Sequence, residues 1–386
     1  MKYPILLSFL LVGAVALSLS ACNRNPSDVV ANASDSKGKP PTAAVAAAPA
    51  LSPLPAGGVK AVYLTGWSAG TRKHLDNICA LADRTEINAV VLDVKDDGWI
   101  SYNVDVPQAK EIQQKYGAHK TGKMIADIDA VIAKLKAHKL FVIARIACFR
   151  DTPLAETHPK MSVLSADGKP WKDRSRHGWL NPYSVEAQDY NIALGLDAIK
   201  HGFQEVQFDY VRFPSEGKLS NLVYPGKPKG GLREDQIAFF LEKAQATFKK
   251  QGAWFSADVF GLTSQVKNDE GIGQKFEKVI AHLDYLCPMV YPSHYAKGTY
   301  GLPNPNSEPY KLIKGTLTDA KRRIAVAPQC KLRPWLQAFS LGVKYGPAQL
   351  AAQIKACREL GINEYLLWNA ACSYRLFEPA LGKKKA

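Results

Sequence analysis

Leu140-Phe141-Val142-Ile143-Ala144-Arg145-Ile146-Ala147-Cys148-Phe149 decides the fold. A strand wetted on one face alternates apolar and polar residues, and this run does not, so it reads as a strand buried on both faces. Such strands belong to parallel sheets covered by helices. The single charge, Arg145, is costly to bury unpaired and is expected to hold a carboxylate, with Asp93 and Asp209 as the candidates.

Working outward, short β-branched runs alternate with amphipathic stretches of helical length, the pattern of βαβ units. Strands are expected at Lys60–Leu64, Ala89–Lys95, Leu140–Phe149, Glu205–Arg212, Trp254–Phe260, Tyr285–Tyr291 and Glu364–Asn369. A further one falls on Ile324–Gln329 or, preferred, Lys331–Phe339. Helices are expected near Lys73–Arg84, Met124–His138, Val185–Lys200, Arg233–Lys250, Gly273–Leu283, Pro309–Arg323 and Pro347–Leu360. An open doubly wound sheet would carry a Gly-rich phosphate turn after its first strand, and Thr65-Gly66-Trp67 is not one. Eight strands with intervening helices therefore predict an α/β fold, a closed (β/α)₈ TIM barrel over residues 59–380.

The barrel is preceded by two other segments. Residues 1–22 have a short basic start and an apolar run, Ile5–Leu19, too brief to span a membrane. They end in Leu19-Ser20-Ala21-Cys22, which resembles a bacterial lipobox, so export with lipidation at Cys22 is expected. Asn23 favours the outer membrane in a Gram-negative cell. Residues 23–58, rich in Ala, Pro and Ser, are expected to be a flexible tether, and 381–386, with Lys383-Lys384-Lys385, a solvated basic tail. The net charge of +15 fits anionic lipid headgroups and acidic polysaccharides at the envelope, rather than nucleic acid. Six cysteines besides Cys22 lie far apart without C-x-x-C pairs, which argues for buried thiols with at most one bridge near the C-terminus. No metal or cofactor is expected, and the protein is expected to be monomeric.

In such barrels the active site lies at the C-terminal ends of the strands. Reactive residues gather there. Asp93, Lys95, Asp96 and Asp97 end the second strand, Arg145, Arg150 and Asp151 follow the third, and Asp209 and Arg212 close the fourth. Asp258 is on the fifth, Tyr291, His294 and Tyr295 follow the sixth, and Trp368 and Asn369 close the last. Six of the seven tryptophans, Trp67, Trp99, Trp171, Trp179, Trp335 and Trp368, fall at strand ends or in these loops. Aromatic faces stack on sugar rings, so the rim is expected to suit carbohydrate; the plainer reading of any single Trp is a cap on the core.

Paired carboxylates on neighbouring strands are what glycoside hydrolysis requires: one as nucleophile or base, the other as acid. Strand alternation places Gln207 and Asp209 toward the barrel mouth and Phe208 and Tyr210 toward the helices. Asp209 is the candidate nucleophile or base and Asp258 the candidate acid. The plainer alternative for either is a cap or a structural ion pair. Asp93, Lys95, Trp99, Arg145, Arg212, Tyr291, His294, Tyr295, Trp368 and Asn369 are the candidate substrate-binding residues, with Asp93 and Lys95 equally readable as an ion pair beneath the mouth.

Several strings resemble a bacterial glycoside-hydrolase-like barrel family long filed as a domain of unknown function. They include Asn88–Asp97, Ile143–Ile146, Val206–Pro214, Ser256–Gly261, Pro288–Tyr295, Arg333–Gln337 and Leu367–Asn369, in order across residues 59–375. The resemblance implies kinship with α-amylase-like glycosidases, whose nucleophile is an Asp ending the fourth strand, the place of Asp209. Their acid is commonly a Glu ending the fifth strand, where this chain has the shorter Asp258. The expected activity is hydrolysis of a cell-envelope or extracellular polysaccharide. The rival reading is a non-catalytic glycan-binding lipoprotein that kept the barrel without the reaction.

Overall fold

The run around Arg145 forms a strand, Phe141–Ala147, buried at every position. A computed structural model describes residues 49–117 and 122–384. The strands of its barrel are β1 (Lys60–Leu64), β2 (Ala89–Asp96), β3 (Phe141–Ala147), β4 (Glu205–Asp209), β5 (Trp254–Phe260), β6 (Tyr285–Met289), β7 (Trp335–Gln337) and β8 (Tyr365–Trp368). Consecutive strands pair in parallel, and β8 pairs back onto β1 with Lys60 opposite Tyr365, which closes the barrel. Between them run α1 (Arg72–Arg84), α2 (Ile128–Ala137), α3 (Val185–Lys200), α4 (Arg233–Lys249), α5 (Phe276–Ile280), α6 (Pro309–Ile324) and α7 (Pro347–Glu359). The fold is a (β/α)₈ TIM barrel. Among the described residues β8 is followed by a 3₁₀ turn, Glu378–Ala380, in place of an eighth helix.

The seventh strand lies within the preferred range, but in two pieces. Lys331–Leu332 and Trp335–Gln337 both pair with β6, and Arg333-Pro334 interrupts them because proline has no N–H to give the ladder. The barrel floor is ionic. Arg333 is fully buried, 2.8 Å from Glu205 and 2.9 Å from Glu364, and stacks over Tyr285. Outside the sheet, Phe208 packs against Phe240 and Phe248 of α4, the helix-facing direction expected from its parity. All six cysteines among the described residues are free and buried, so no bridge forms near the C-terminus.

Both flanking readings need correction where the structure describes them. Residues 1–48, with the processing segment and Cys22, lie outside the described residues. Residues 49–58, expected as the end of a tether, are tied to the barrel instead. The Ser52 N–H donates to the Gly252 carbonyl, the Trp254 indole donates to the Ser52 carbonyl, and Leu54 packs on the core. The tail is likewise held. Glu86 and Gly382 exchange hydrogen bonds, Lys383 bridges to Thr85 and Leu381 is buried, so the backbone of 381–384 lies along the end of α1 while Lys383 and Lys384 stay exposed, as expected of a solvated tail.

Candidate active site

The site grows from Arg145 at the C-terminal end of β3. Its guanidinium, almost wholly buried, donates from Nη1 to Asp93 at 2.6 Å and from Nη2 to Asp209 at 2.6 Å. Both sequence candidates are thus its partners. One cation between two buried carboxylates, with Asp96 at 3.4 Å, leaves the cluster short of positive charge. The consequence falls on Asp93: burial, aided by the nearby Asp96 charge, pushes its carboxyl up to about 7, against the pull of Arg145 and of the Tyr63 hydroxyl that donates to it. The same burial, with the Asp93 charge beside it, pushes the Tyr63 phenol up.

Asp209 ends β4, and the next residue explains how it is held. Tyr210 has φ +47°, a left-handed conformation rare for an aromatic residue. That turn brings the Tyr210 N–H to the Asp209 carboxylate at 2.6 Å. It also ends the strand alternation. Tyr210, expected to face the helices, lies at the mouth instead, under the guanidinium of Arg150, which also donates to its hydroxyl.

Asp258 occupies β5 beside it. Phe208 is in register with Ala257, so Asp209 and Asp258 come next on adjacent strands, with strand axes about 4.8 Å apart. Asp258 has no cation partner among the described residues; the Trp335 indole donates to it at 2.7 Å. Burial pushes the Asp258 carboxyl well above the usual carboxylate range, and the charge of Asp209 pushes the same way. A carboxyl whose burial favours the protonated form thus stands beside a salt-bridged carboxylate.

These groups open onto a cleft of about 590 Å³. Asp209, Asp258, Arg145, Arg212, Tyr291, His294, Tyr295 and Trp368, all singled out from sequence, line it together with Tyr210, Glu216, Phe260 and Trp335. Trp368 stacks on Tyr63 at 4.1 Å and meets Trp335 edge-on, which makes an aromatic wall beside the carboxylates. Burial keeps His294 below its usual range and so favours the neutral ring; its Nδ1 pairs with the Ser293 hydroxyl. Gly261 is required where it is, because the Tyr295 hydroxyl and the Met289 carbonyl lie where a Cβ would go. A second hollow of about 430 Å³ adjoins across Tyr291, His294 and Trp368.

Four expectations land elsewhere. Asp93 lies beneath the cleft behind Arg145 rather than on its surface. Lys95, expected to share the parity of Asp93, does not: a bulge between the two shifts the register, so that Asp93 faces Arg145 but Lys95 pairs with Ile146. Lys95 is buried in the helical shell, 2.8 Å from Asp151 and over the Tyr190 ring of α3, so it is a structural ion pair remote from the mouth. Trp99 packs edge-on against Tyr116 and does not line the cleft. Asn369 borders the second hollow, but its amide is spent on the Ala338 and Ser373 carbonyls.

The aromatic rim is smaller than expected. Trp335 and Trp368 line the cleft, whereas Trp171 and Trp179 are buried under the loops and Trp67 is exposed outside it. The sequence reading missed Tyr63 and Tyr210. The parity of β1 could have found Tyr63; no local signal announces the turn at Tyr210. Among the described residues no group of three or more His, Cys, Asp or Glu side chains is arranged to hold a metal ion.

A family model described as "Putative glycosyl hydrolase domain" matches residues 61–374, and the chain belongs to that family. No curated protein matches the sequence. A hypothetical protein from Ruminiclostridium thermocellum ATCC 27405, of known crystal structure, is 34% identical, over 51% of this chain and 97% of its own, with a TM-score of 0.46. The glycoside hydrolase domain of PgaB (BpsB) from Bordetella bronchiseptica is 14% identical, over 86% of this chain and 100% of its own, with a TM-score of 0.62, a likeness of fold.

Proposed function

We propose that this protein hydrolyses a glycosidic bond in a cell-envelope or extracellular polysaccharide, from a lipid anchor at Cys22. Asp209 acts as nucleophile or base and Asp258 as acid. The observation that carries this reading is the contrast between two adjacent carboxyl groups. Asp209 is ion-paired with Arg145, whereas Asp258 is buried without an ion pair among the described residues, where burial and the Asp209 charge favour its protonated form. Environments that separate two carboxyl groups in this way assign acid and base. The family description supports the hydrolase class.

In this mechanism a sugar lies against Trp368 with its anomeric carbon at Asp209. Asp258 gives its proton to the leaving oxygen, and Arg145 with the Tyr210 N–H keeps Asp209 oriented. A screen of the purified protein against envelope and exopolysaccharide glycans, with new reducing ends as the readout, tests the proposal. Release from at least one glycan is expected. Binding without release across the panel would instead favour the non-catalytic glycan-binding lipoprotein.

A further inference from the structure

Four cationic side chains are buried among the described residues: Lys95, Arg145, Arg212 and Arg333. Three sit within 2.9 Å of a carboxylate, Lys95 on Asp151, Arg145 on Asp93 and Asp209, and Arg333 on Glu205 and Glu364. Arg212 has no ion pair among the described residues, although it is only 6% exposed. A buried charge without a counterion is costly, so the exception calls for a cause.

The surroundings of Arg212 show what is missing. Its guanidinium sits among the rings of Phe260, Trp179 and Tyr210 at 4.7, 5.0 and 5.1 Å, which restrict where it can move. Nη1 is spent on the Phe213 carbonyl and the Ser215 hydroxyl. The opposite edge, Nε with Nη2, has no partner among the described residues, and Arg212 lines the same cleft as Asp209 and Asp258. That edge is the one with which guanidinium grips a carboxylate or phosphate through two parallel hydrogen bonds. The acids nearby do not supply the anion: Asp209 is committed to Arg145, and Glu216, on the cleft wall, is exposed and forms no ion pair among the described residues. Burial works against the Arg212 charge, the direction expected of a site waiting for its counterion.

The geometry points to Arg212 as the anchor for an anionic substituent of the substrate, a carboxylate or phosphate on a sugar next to the scissile bond. This rests on the hydrolase reading and narrows it to acidic polysaccharides. The chain's own net charge of +15 would draw such polymers toward it.

Monosaccharides test this without knowledge of the linkage. D-glucuronate, D-glucose 6-phosphate and D-glucose are titrated into the wild-type protein by calorimetry, and into Arg212→Gln and Arg212→Lys. At least one charged sugar is expected to bind ten-fold or more tightly than glucose, and the two charged arms rank carboxylate against phosphate. Arg212→Gln should erase the preference, and Arg212→Lys, which keeps the charge but not the fork, should leave only part of it. Equal or undetectable binding of all three sugars by the wild-type protein overturns the inference even if neither variant folds. So does a charge preference that persists in Arg212→Gln. Cleavage of a neutral glycan without charge preference would remove the anchor and leave the hydrolase; Arg212-dependent binding of charged sugars without cleavage of any acidic glycan would do the reverse.

Discussion

Replacing Asp93 with asparagine should change how stability depends on pH, with a definite sign. Asp93 is buried with its carboxyl raised from 3.8 to about 7. Ionising it in the folded protein therefore costs about 4 kcal/mol more than in the unfolded chain, at about 1.36 kcal/mol for each tenfold change in proton affinity. Between these two values the folded state binds the additional proton, so stability falls as pH rises. The contribution is fully present below about pH 4 and lost on passing through pH 7. The amide of the variant would keep the shape of the carboxyl and carry no charge. Denaturant unfolding of the wild-type protein and Asp93→Asn across pH 4 to 8 should give a stability difference, wild type minus variant, that declines by about 4 kcal/mol over that range. A flat difference would refute the argument. A difference that grows with pH would refute it more strongly, since it would mean that Arg145 holds Asp93 as an anion.

Three other outcomes follow from the same geometry. Trp335→Phe removes the indole donor that favours the charged form of Asp258, so the alkaline limb of the pH–activity profile should move to higher pH; movement to lower pH would contradict the acid role. Gly261→Ala forces a Cβ into the Tyr295 hydroxyl and to 2.7 Å from the Met289 carbonyl, and should lower stability in urea by about 1–3 kcal/mol, where no change would contradict the close approach. Direct attack by Asp209 requires carboxyl groups roughly 5–5.5 Å apart, which neighbouring strands allow, rather than the wider spacing of inverting enzymes. The first-formed sugar, followed by NMR, should therefore keep its anomeric configuration, and inversion would mean that a water lies between the two groups.

Most of the barrel was legible because period and burial act on every residue of a strand. Leu140–Phe149 could not face water on either side, and the alternation of Gln207, Phe208 and Asp209 fixed which of them enters the mouth. What escaped depends on single backbone irregularities. The bulge after Asp93 sends Lys95 into the shell, and the left-handed turn at Tyr210 returns an aromatic ring to the cleft. Neither carries a Gly or Pro to announce it. The tryptophans misled for another reason: position at a strand end does not say whether a long loop folds over the ring, as happens to Trp171 and Trp179. Composition foretold the exposed lysines of the tail but not its docked backbone, because Glu86, which anchors it, is distant in sequence.

The most direct test of the account compares steady-state hydrolysis by the wild-type protein and Asp209→Asn on the glycan that the screen identifies, with circular dichroism to verify that both are folded. The account predicts that kcat falls by about 100-fold or more while the fold is kept. Turnover by folded Asp209→Asn at the wild-type rate would contradict it.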